Sequence, residues 1–571
     1  MRKNIVFTLF FAVSTLLSVG QNYPIDYFIA PLDPPLSITG TFGEIRDNHF
    51  HSGLDFSTDE EEGLPVMAAA DGYVSRIKIS SDGYGKALYI THANGYVTVY
   101  GHLKKFTADI NSYVRKLQYE RQVFELDINP KENDFIVRQR DVIAYSGSTG
   151  SAQAPHVHFE IRDEKTEEPI NPLLFGLQVK DNFTPILKYV RIFPVRENGI
   201  VNTTDTAETY ELRTGKDGYS LNTTETPLVF GNIGFGFSAY DYQDSTFAEL
   251  GIYSSELYVD GKLTFTIKYD RFNFNDTRYL NAHIDYRFKI QEGNNIERCH
   301  KLPGDQLKFY SNELQTGYTN FDEDGSHIIK IIAKDFSGNS AQVEFRVMAK
   351  TALREKIYQQ RPNNSVLVTT EKGMTLHKPK IDIVIPGNAV YEDYYYNDEE
   401  FKSVYLSDIF RVGDINVPLQ IPMLLSIKPN KEIVDSLKLK AIIAKIDEDG
   451  NLTSKGGLWN DKLLTAKTRE FGTFVIILDT VPPTIEKYYV PAEMNTMYGG
   501  CVQIRIQDEL SNISNYSGRI DGKWHLFEYD KKNNMIIADV QSMDVNLTHE
   551  IEVTATDESG NTRVWKSTFY Y

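Results

Sequence analysis

The chain has 571 residues, of which 41% are hydrophobic and 24% are charged, and this length exceeds what a single hydrophobic core supports. We therefore expect about three to five domains, at roughly 150 residues each. The net charge of −18 argues against a nucleic-acid partner, because such a partner requires a basic surface. The 35 Tyr and 32 Phe residues favour strands over helices.

The first segment has the form of a secretory signal. Two basic residues precede an apolar run from Ile5 to Leu17, and a stretch of small residues ends at Gly20. The apolar run has about a dozen residues, which is short of the ~20 that a membrane-spanning helix needs, so a membrane anchor is the weaker alternative. We predict a signal peptide over residues 1–20 and an exported protein, periplasmic or extracellular at the cell envelope, with no membrane span.

Residues 65–103 predict an antiparallel meander. Short alternating strands are separated there by Asp-Gly and Asn-Gly dipeptides, which close hairpins because they accept positive φ. A helix is expected from about Asp109 to Val123, and strands resume after Asp134. We assign residues 21–177 to this first, antiparallel β-sheet domain.

The rest of the chain contains an internal repeat. Residues 325–347 align with residues 547–569, and both copies carry the motif D-x-S-G-N with a histidine eight residues before its aspartate. Upstream of each copy stands a short segment with the shared letters D-G-K. Repeated alternating strands with Asp, Asn and Gly turns are typical of β-sandwich modules, and these resemble bacterial immunoglobulin-like domains.

The predicted fold is therefore all-β, with the first domain followed by about three β-sandwich modules. We place immunoglobulin-like modules at residues 178–350 and 479–571, and a β-sandwich of uncertain type at residues 351–478. The tyrosine-rich segment 391–401 is expected to be an exposed loop, with a sugar-binding platform as the alternative. The sequence leaves open whether Cys299 and Cys501 pair.

The candidate chemistry lies in the first domain, because six of the twelve histidines fall between residues 49 and 158. The stretch FHSGLDFS supplies His51 and Asp55, VYGHLKK supplies His102, and QAPHVHFEIR supplies His156 and His158. Imidazole and carboxylate groups are the ligands that a catalytic zinc ion prefers, in a tetrahedral site whose fourth position is open.

Two local constraints follow from these spacings. Side chains alternate along a strand, so His156, His158 and Glu160 face one side of it. His51 and Asp55 would lie about 13 Å apart on an extended chain, so the chain must bend between them for both to bind one ion. Spacing alone leaves open which histidine of the pair binds the metal.

These motifs resemble those of the lysostaphin- and LytM-type zinc endopeptidases of peptidase family M23, which cut peptide cross-links of bacterial cell-wall peptidoglycan. HSGLD, YGHL and the H-x-H of GSTGSAQAPHVHFEIR occur in the order found in that family. The resemblance implies that His51, Asp55 and His158 bind one zinc ion. It also implies that His102 and His156 are the unliganded catalytic pair.

The chemistry agrees with this division of roles. An imidazole has an unperturbed pKa of about 6.5, so His156 is suited to accept a proton from a water molecule beside zinc. His102 would hold or protonate groups at the tetrahedral intermediate, whose new charge needs a donor. Which histidine has which role stays open at this point.

Three further residues have weaker assignments. Arg46 is expected either to orient the substrate or to be an ordinary surface arginine. Glu160 is expected to be an exposed carboxylate at a sheet edge, with a contact to a histidine as the alternative. His49 is expected to face solvent.

One segment departs from the family pattern. The link over residues 104–150 is longer than usual and has Asp141 where the family has a glycine, so we expect it to shape or cover the cleft. We predict an exported zinc endopeptidase acting on peptidoglycan peptides, with a possible envelope partner bound by the sandwich modules. The alternatives are a catalytically silent protein that binds peptidoglycan or activates another hydrolase, and an adhesive scaffold.

Overall fold

The computed structural model describes residues 23–215, 218–244, 246–311, 316–356, 365–489 and 500–571. The expected signal peptide, residues 1–20, lies outside the described residues. Of the described residues, 48% lie in strands and 9% in helices, which confirms the all-β class. Within the described part, no helix combines the length and the apolar character needed to cross a bilayer.

The first unit is built on a nine-stranded antiparallel sheet with the central strand order β1-β4-β13-β8-β7-β6-β10. A three-stranded sheet, β5-β12-β9, lies beside it, and β2 pairs with β3. The strands, in chain order from β1 to β14, are Ile38–Gly40, Ile45–Arg46, His49–Phe50, Leu54–Ser57, Pro65–Met67, Gly72–Ile79, Lys86–Thr91, Tyr96–Gly101, Lys105–Phe106, Leu126–Ile128, Ile136–Val137, Val142–Tyr145, His156–Asp163 and Pro169–Ile170.

The sequence pattern explains this sheet. The meander forms β6, β7 and β8, and the turn between β7 and β8 has Gly95 at φ +82°, a conformation that favours glycine. In β13 the side chains of Val157, Phe159 and Ile161 are fully buried on the face opposite to the histidines. The helix expected in the long link is confirmed as α1, Ala108–Arg121.

The second unit follows as a twelve-stranded sheet with the central order β19-β18-β15-β16-β17-β26-β25-β20-β21-β23. It also contains the short helices α2 (Leu280–His283) and α3 (Tyr286–Glu292). The strands from β15 to β26 are Ile186–Val201, Glu208–Gly215, Gly218–Leu221, Leu228–Gln243, Thr246–Leu250, Ser254–Val259, Lys262–Lys268, Glu297–Arg298, Tyr310–Ser311, Thr319–Phe321, Gly325–Lys334 and Ser340–Ala349.

The third and fourth units each consist of two antiparallel sheets around a common core. In the third, β28-β29-β33-β37-β36 and β31-β32-β38-β34-β35 share one apolar cluster, and β27 pairs with β30; α4 is Asp435–Lys438. In the fourth, β39-β40-β44-β43 packs with β42-β41-β45-β46. The strands from β27 to β46 are Val366–Val368, Met374–His377, Ile381–Ile385, Tyr394–Tyr396, Asp398–Phe401, Ile409–Val412, Met423–Ile427, Ala441–Ile446, Leu452–Ser454, Leu458–Asn460, Leu463–Thr468, Gly472–Leu478, Thr484–Tyr489, Cys501–Gln507, Ile513–Ile520, Lys523–His525, Glu528–Asp530, Met535–Asp539, Thr548–Asp557 and Thr562–Tyr570.

The internal repeat reappears as a repeated contact. Asp260, in the turn between β20 and β21, lies 2.7 Å from Nδ1 of His327 on β25. Asp521, between β41 and β42, lies 2.7 Å from Nδ1 of His549 on β45. The same residue types therefore join the same kinds of hairpin in both copies. The module boundaries and the immunoglobulin-like assignment stay predictions.

Two smaller expectations have clear outcomes. The expectation of an exposed tyrosine loop is wrong, because Tyr391, Tyr394 and Tyr396 are all buried and the last two lie on β30. Aromatic rings of this size contribute more by filling a core than by facing water. No disulfide joins Cys299, which is buried, to Cys501, which is half-buried.

The first two units share one hydrophobic core. Phe50 of the first unit lies with its ring centroid 4.9 Å from that of Phe309 in the second. Phe42 lies 5.3 Å from Phe272, measured in the same way. A single cluster of buried side chains continues from one unit into the other. The two units therefore stabilise each other through apolar burial.

The fourth unit returns to contact the first. Lys86 Nζ lies 2.7 Å from a carboxylate oxygen of Glu528, and Lys532 Nζ donates to the carbonyl oxygen of Ala152 at 2.7 Å. On α1, the ring of Tyr119 lies edge-on to Trp524 with the centroids 5.1 Å apart. The long link thus supports the docked fourth unit.

Phe50→Ala should destabilise the first two units together. The truncation removes a fully buried aromatic ring at their common core, which costs about 3–5 kcal/mol. We expect the first thermal unfolding transition, followed by circular dichroism, to fall by several degrees. Phe247→Ala is the matched control, because Phe247 is 101% exposed. If Phe50→Ala and Phe247→Ala had the same first unfolding temperature, a core shared by the first two units would be contradicted.

Candidate metal centre

Strand pairing brings the candidate ligands together. Strand β4 runs antiparallel to β13, with Asp55 directly opposite His158. His51 stands just before β4, and the chain bends between it and Asp55, as expected. Gly53 permits the close approach of this segment to β13, because a Cβ there would lie 2.3 Å from the carbonyl oxygen of Phe159.

The three candidate ligands converge on one point. The Nε2 atom of His51 lies 3.0 Å from Asp55 Oδ1 and 3.0 Å from His158 Nδ1. His158 Nδ1 lies 2.9 Å from the same Asp55 oxygen. Atoms bound to one tetrahedral zinc ion at 2.0–2.1 Å are about 3.3 Å apart, so the spacing fits a single ion closely.

The hydrogen bonds of the two imidazoles also fit a metal. His51 Nδ1 donates to the carbonyl of Thr41 at 2.8 Å, and His158 Nε2 donates to Glu160 Oε1 at 2.9 Å. Each ring therefore directs the lone pair of its other nitrogen at the centre, beside the carboxylate oxygen of Asp55. Three electron-pair donors that face one another favour a cation between them.

The electrostatics of the centre agree with this requirement. Although burial opposes the charged form, hydrogen bonds and charge from Asp55 and Glu160 raise the pKa of His158 to about 9. Burial likewise opposes the charge of Asp55, yet the two histidines hold the pKa of that carboxyl well below its usual range. The pocket thus favours a positive charge among these groups.

The other two histidines lie beside this centre and are neutral. Burial, together with neighbouring imidazoles, lowers the pKa of His102 to about 3, and burial lowers that of His156. Their ring centroids are 4.7 Å apart, and His156 Nε2 is 3.5 Å from Asp55 Oδ1. In each ring Nδ1 donates to a backbone carbonyl, of Thr149 for His102 and of Ala154 for His156. Each ring therefore has Nε2 as a proton acceptor.

His102 has an unusual backbone for its residue type. It follows β8 with φ at +59°, a region that non-glycine residues rarely adopt. A hydrogen bond of 2.8 Å from its amide to the carbonyl of Tyr84 helps to hold this conformation. Strained residues of this kind concentrate at functional sites.

The expectation of an exposed Glu160 is wrong. Its side chain is 0% exposed and accepts hydrogen bonds from His158, from Ser52 Oγ at 2.6 Å, and from Tyr84 and Arg162. Arg162 compensates the buried charge, and the pKa of Glu160 falls despite its burial. The carboxylate therefore fixes the orientation of the His158 ring.

Arg46 and His49 differ in their distance from the centre. Arg46 Nη2 lies 3.3 Å from Asp55 Oδ2, the carboxylate oxygen that is turned away from the histidines. It therefore contacts a candidate ligand, and its possible contact with substrate stays a prediction. His49 is exposed, as expected, and bonds to the carbonyl of Asp47.

Sequence reasoning missed Tyr84 and Arg162. The ring of Tyr84 stacks on that of His158 with the centroids 5.0 Å apart, and it lies in the hairpin between β6 and β7. No spacing rule connects that hairpin to β13, so the sequence alone could not place it. Arg162 could have been found, because alternation puts it on the face that carries His158 and Glu160.

The first unit is thus a β-sheet domain with a buried His, Asp, His group that could hold a metal ion and two neutral imidazoles beside it, a composition that suits a metallopeptidase site. Residues 49–119 match the model of peptidase family M23. The amino-terminal unit therefore contains a peptidase family M23 domain, which the family model matches over residues 49–119. Residues 365–479 match the model of the Zu5-like domain.

Several proteins are similar to this region. The DD-carboxypeptidase/endopeptidase Mpg of Neisseria meningitidis serogroup B is 33% identical over 127 residues, which are 22% of this chain and 23% of that protein. An uncharacterized metalloprotease of Haemophilus influenzae is 31% identical over 135 residues, 24% of this chain and 22% of that protein. The chain thus matches about a quarter of the length of these relatives.

Solved structures resemble the same region. The catalytic domain of the prophage-encoded M23 protein EnpA from Enterococcus faecalis is 24% identical, covering 26% of this chain and 98% of that one, with a TM-score of 0.20. The catalytic domain of lysostaphin from Staphylococcus simulans is 22% identical, covering 27% of this chain and 92% of that one, with a TM-score of 0.17.

Glu160→Gln should weaken zinc binding by 10- to 100-fold. The amide keeps the size of the side chain but removes the charge that orients His158 and raises its basicity. Competition with a chromophoric chelator measures the affinity. Glu164→Gln, an exposed position in the turn after β13, is the control and should bind zinc as the unchanged protein does. Equal affinities for both variants would show that Glu160 does not support the site.

Proposed function

We propose that the protein is an exported zinc-dependent endopeptidase that hydrolyses peptide cross-links of bacterial peptidoglycan. The observation that carries this proposal is the convergence of His51, Asp55 and His158 beside two neutral imidazoles in an M23 domain. His51, Asp55 and His158 would hold one zinc ion. When bound, zinc supplies Lewis-acid polarisation of the scissile carbonyl and acidifies water.

The proton transfers belong to the two remaining histidines. Nε2 of His156 accepts a proton from the attacking water, because this atom is a lone-pair acceptor that lies 3.5 Å from a ligand oxygen. The resulting imidazolium then gives the proton to the nitrogen of the leaving amine. The hydrogen bond from Nδ1 to Ala154 keeps Nε2 in the acceptor form between turnovers.

The role that we propose for His102 differs from the one expected from the sequence, which is to hold or protonate groups at the tetrahedral intermediate. In the neutral form its Nε2 is an acceptor, so it cannot protonate an intermediate unless it first gains a proton. It is better suited to accept a hydrogen bond from the attacking water or from a substrate amide. Its ring packs against that of His156, and the two acceptors together orient one donor group.

Variants separate zinc binding from proton transfer. Asp55→Ala should lose both zinc and hydrolysis, whereas His156→Ala and His102→Ala should keep zinc and lose hydrolysis by roughly 10²- to 10⁴-fold. Release of new amine termini from cross-linked muropeptides measures hydrolysis, with and without a chelator. His49→Ala is the control, since this exposed histidine lies two residues from a ligand. Full hydrolysis by His156→Ala would disprove its role as the base.

A second candidate function is a protein that binds peptidoglycan, or activates another hydrolase, without cutting peptides itself. The docked fourth unit favours it. Lys532 donates to the carbonyls of Ser148 and Ala152, beside the residue whose carbonyl holds His102. Because the fourth unit contacts residues 148–152 beside His102, it restricts the approach of a large substrate to the candidate site.

Charge reversal at this contact distinguishes the two candidates. Lys532→Glu removes the hydrogen bonds from Lys532 to Ser148 and Ala152. If the fourth unit restricts access to an active peptidase, this variant should cut muropeptides faster. Lys487→Glu, an exposed position in the same unit, is the control and should leave the rate unchanged. A zinc-loaded protein that binds muropeptides but cuts none, with and without Lys532→Glu, would establish the second candidate.

A further inference from the structure

Three aspartates meet where the first unit joins the second. Asp181 precedes β15, Asp241 lies near the end of β18, and Asp335 opens the first D-x-S-G-N motif after β25. One carboxylate oxygen from each lies within 4.8 Å of the other two. The peptidase chemistry of the first unit does not use these residues.

Asp241 distinguishes this cluster from an ordinary acidic surface. Its side chain is only 2% exposed, and its Oδ1 atom is buried without a hydrogen-bond partner. Burying a carboxylate oxygen in this way is costly unless a cation or a donor compensates it. Asp241 also lines a cavity of about 70 Å³ whose walls include Asp181 and Asp335.

Protein groups supply little positive charge to this cavity. Among the described residues that line it, there is no lysine, arginine or histidine. Burial, together with the neighbouring carboxylates, raises the pKa of Asp241 to about 7 and that of Asp181 to about 6. Asp335 accepts hydrogen bonds from the Gly338 amide and from Asn339, and Asp181 accepts one from the Phe183 amide. Asp241 is therefore the carboxylate of this group that a proton or a shared cation must neutralise.

The second copy of the repeat contains a corresponding group of three aspartates, in which serine hydroxyl groups donate to one of the carboxylates. There Asp479, Asp508 and Asp557 form the corresponding group of three. Ser511 and Ser559 donate hydroxyl hydrogen bonds to Asp479 Oδ2 at 2.9 and 2.8 Å. In both copies the asparagine of the motif donates to the aspartate of the motif, so the copies differ in the serine donors to Asp479.

We propose that Asp181, Asp241 and Asp335 bind one calcium ion. Carboxylate oxygens are the ligands of hard cations, and the absence of imidazole or thiolate from this group disfavours zinc. Two oxygens bound to calcium at 2.3–2.6 Å can be up to about 5 Å apart, which accommodates the observed spacing. The site is separate from the zinc centre and independent of the proposed peptidase function.

The ion would stabilise the joint between the first two units. The cavity wall includes Ile38 and Thr41 of the first unit, and Thr41 Oγ1 exchanges hydrogen bonds with the backbone of Gly251 in the second. The carbonyl of Thr41 also accepts the hydrogen bond from His51. Calcium at the joint therefore stabilises the loop that orients a candidate zinc ligand.

Thermal unfolding of the full-length protein tests the proposal. The protein is freed of divalent ions, reloaded with one equivalent of zinc, and titrated with CaCl2 to about 10 mM, because extracellular calcium modules bind in the 10⁻⁴–10⁻³ M range. We expect a saturable rise of about 2 °C in Tm at tenfold above the dissociation constant. Terbium luminescence sensitised by Tyr253, which also lines the cavity, reports occupancy directly.

Matched variants locate the ion. Asp241→Asn should abolish the calcium-dependent rise and the terbium signal, whereas Asp508→Asn, its counterpart in the second copy, should keep both. Asp181→Asn repeats the test if Asp241→Asn does not fold. Asp55→Ala should retain the calcium response, which separates this result from loss of the zinc site. The proposal is overturned if the unchanged protein shows no calcium-dependent rise, if Asp241→Asn or Asp181→Asn retains it, or if Asp508→Asn loses it.

Discussion

The candidate site depends on the antiparallel pairing of β4 with β13. This register sets Asp55 opposite His158, and a shift by one residue would turn one of them to the opposite face of the sheet. The alternating apolar residues of β13 hold the register, because they must remain in the core below the site. Hydrophobic burial on one face therefore determines ligand geometry on the other.

Charges of alternating sign surround the candidate metal centre at increasing distance from it. The inner layer consists of Asp55 and the lone pairs of two imidazoles, and it attracts a cation. Glu160 extends the negative potential behind His158, and Arg162 prevents that second carboxylate from remaining as an unpaired buried charge. Tyr84 and Ser52 donate to the same carboxylate. The ring of His158, a candidate ligand, is therefore positioned by a network of buried polar atoms that hydrogen-bond to one another.

The sequence predicted more of the site than of its surroundings. Motif order and the resemblance together identified the five residues that the structure brings together, and strand alternation placed three polar side chains on one face of β13. The burial of Glu160 escaped prediction, because its environment depends on Tyr84 and Arg162, and neighbouring strands bring these side chains together. Local sequence also could not show that the first two units share a core, since Phe50 and Phe309 meet across more than 250 residues of chain.

The two copies of the repeat illustrate how one backbone supports different chemistry. Both place three aspartates at corresponding positions and both join His to Asp across a hairpin. In the fourth unit the hydroxyl groups of Ser511 and Ser559 donate hydrogen bonds to Asp479, so this buried carboxylate has donors from its own chain. In the second unit one buried oxygen lacks a donor, beside the loop that carries the hydrogen-bond acceptor of His51. The difference arises where the repeat contacts another unit, because there a bound cation can act on both sides of the contact.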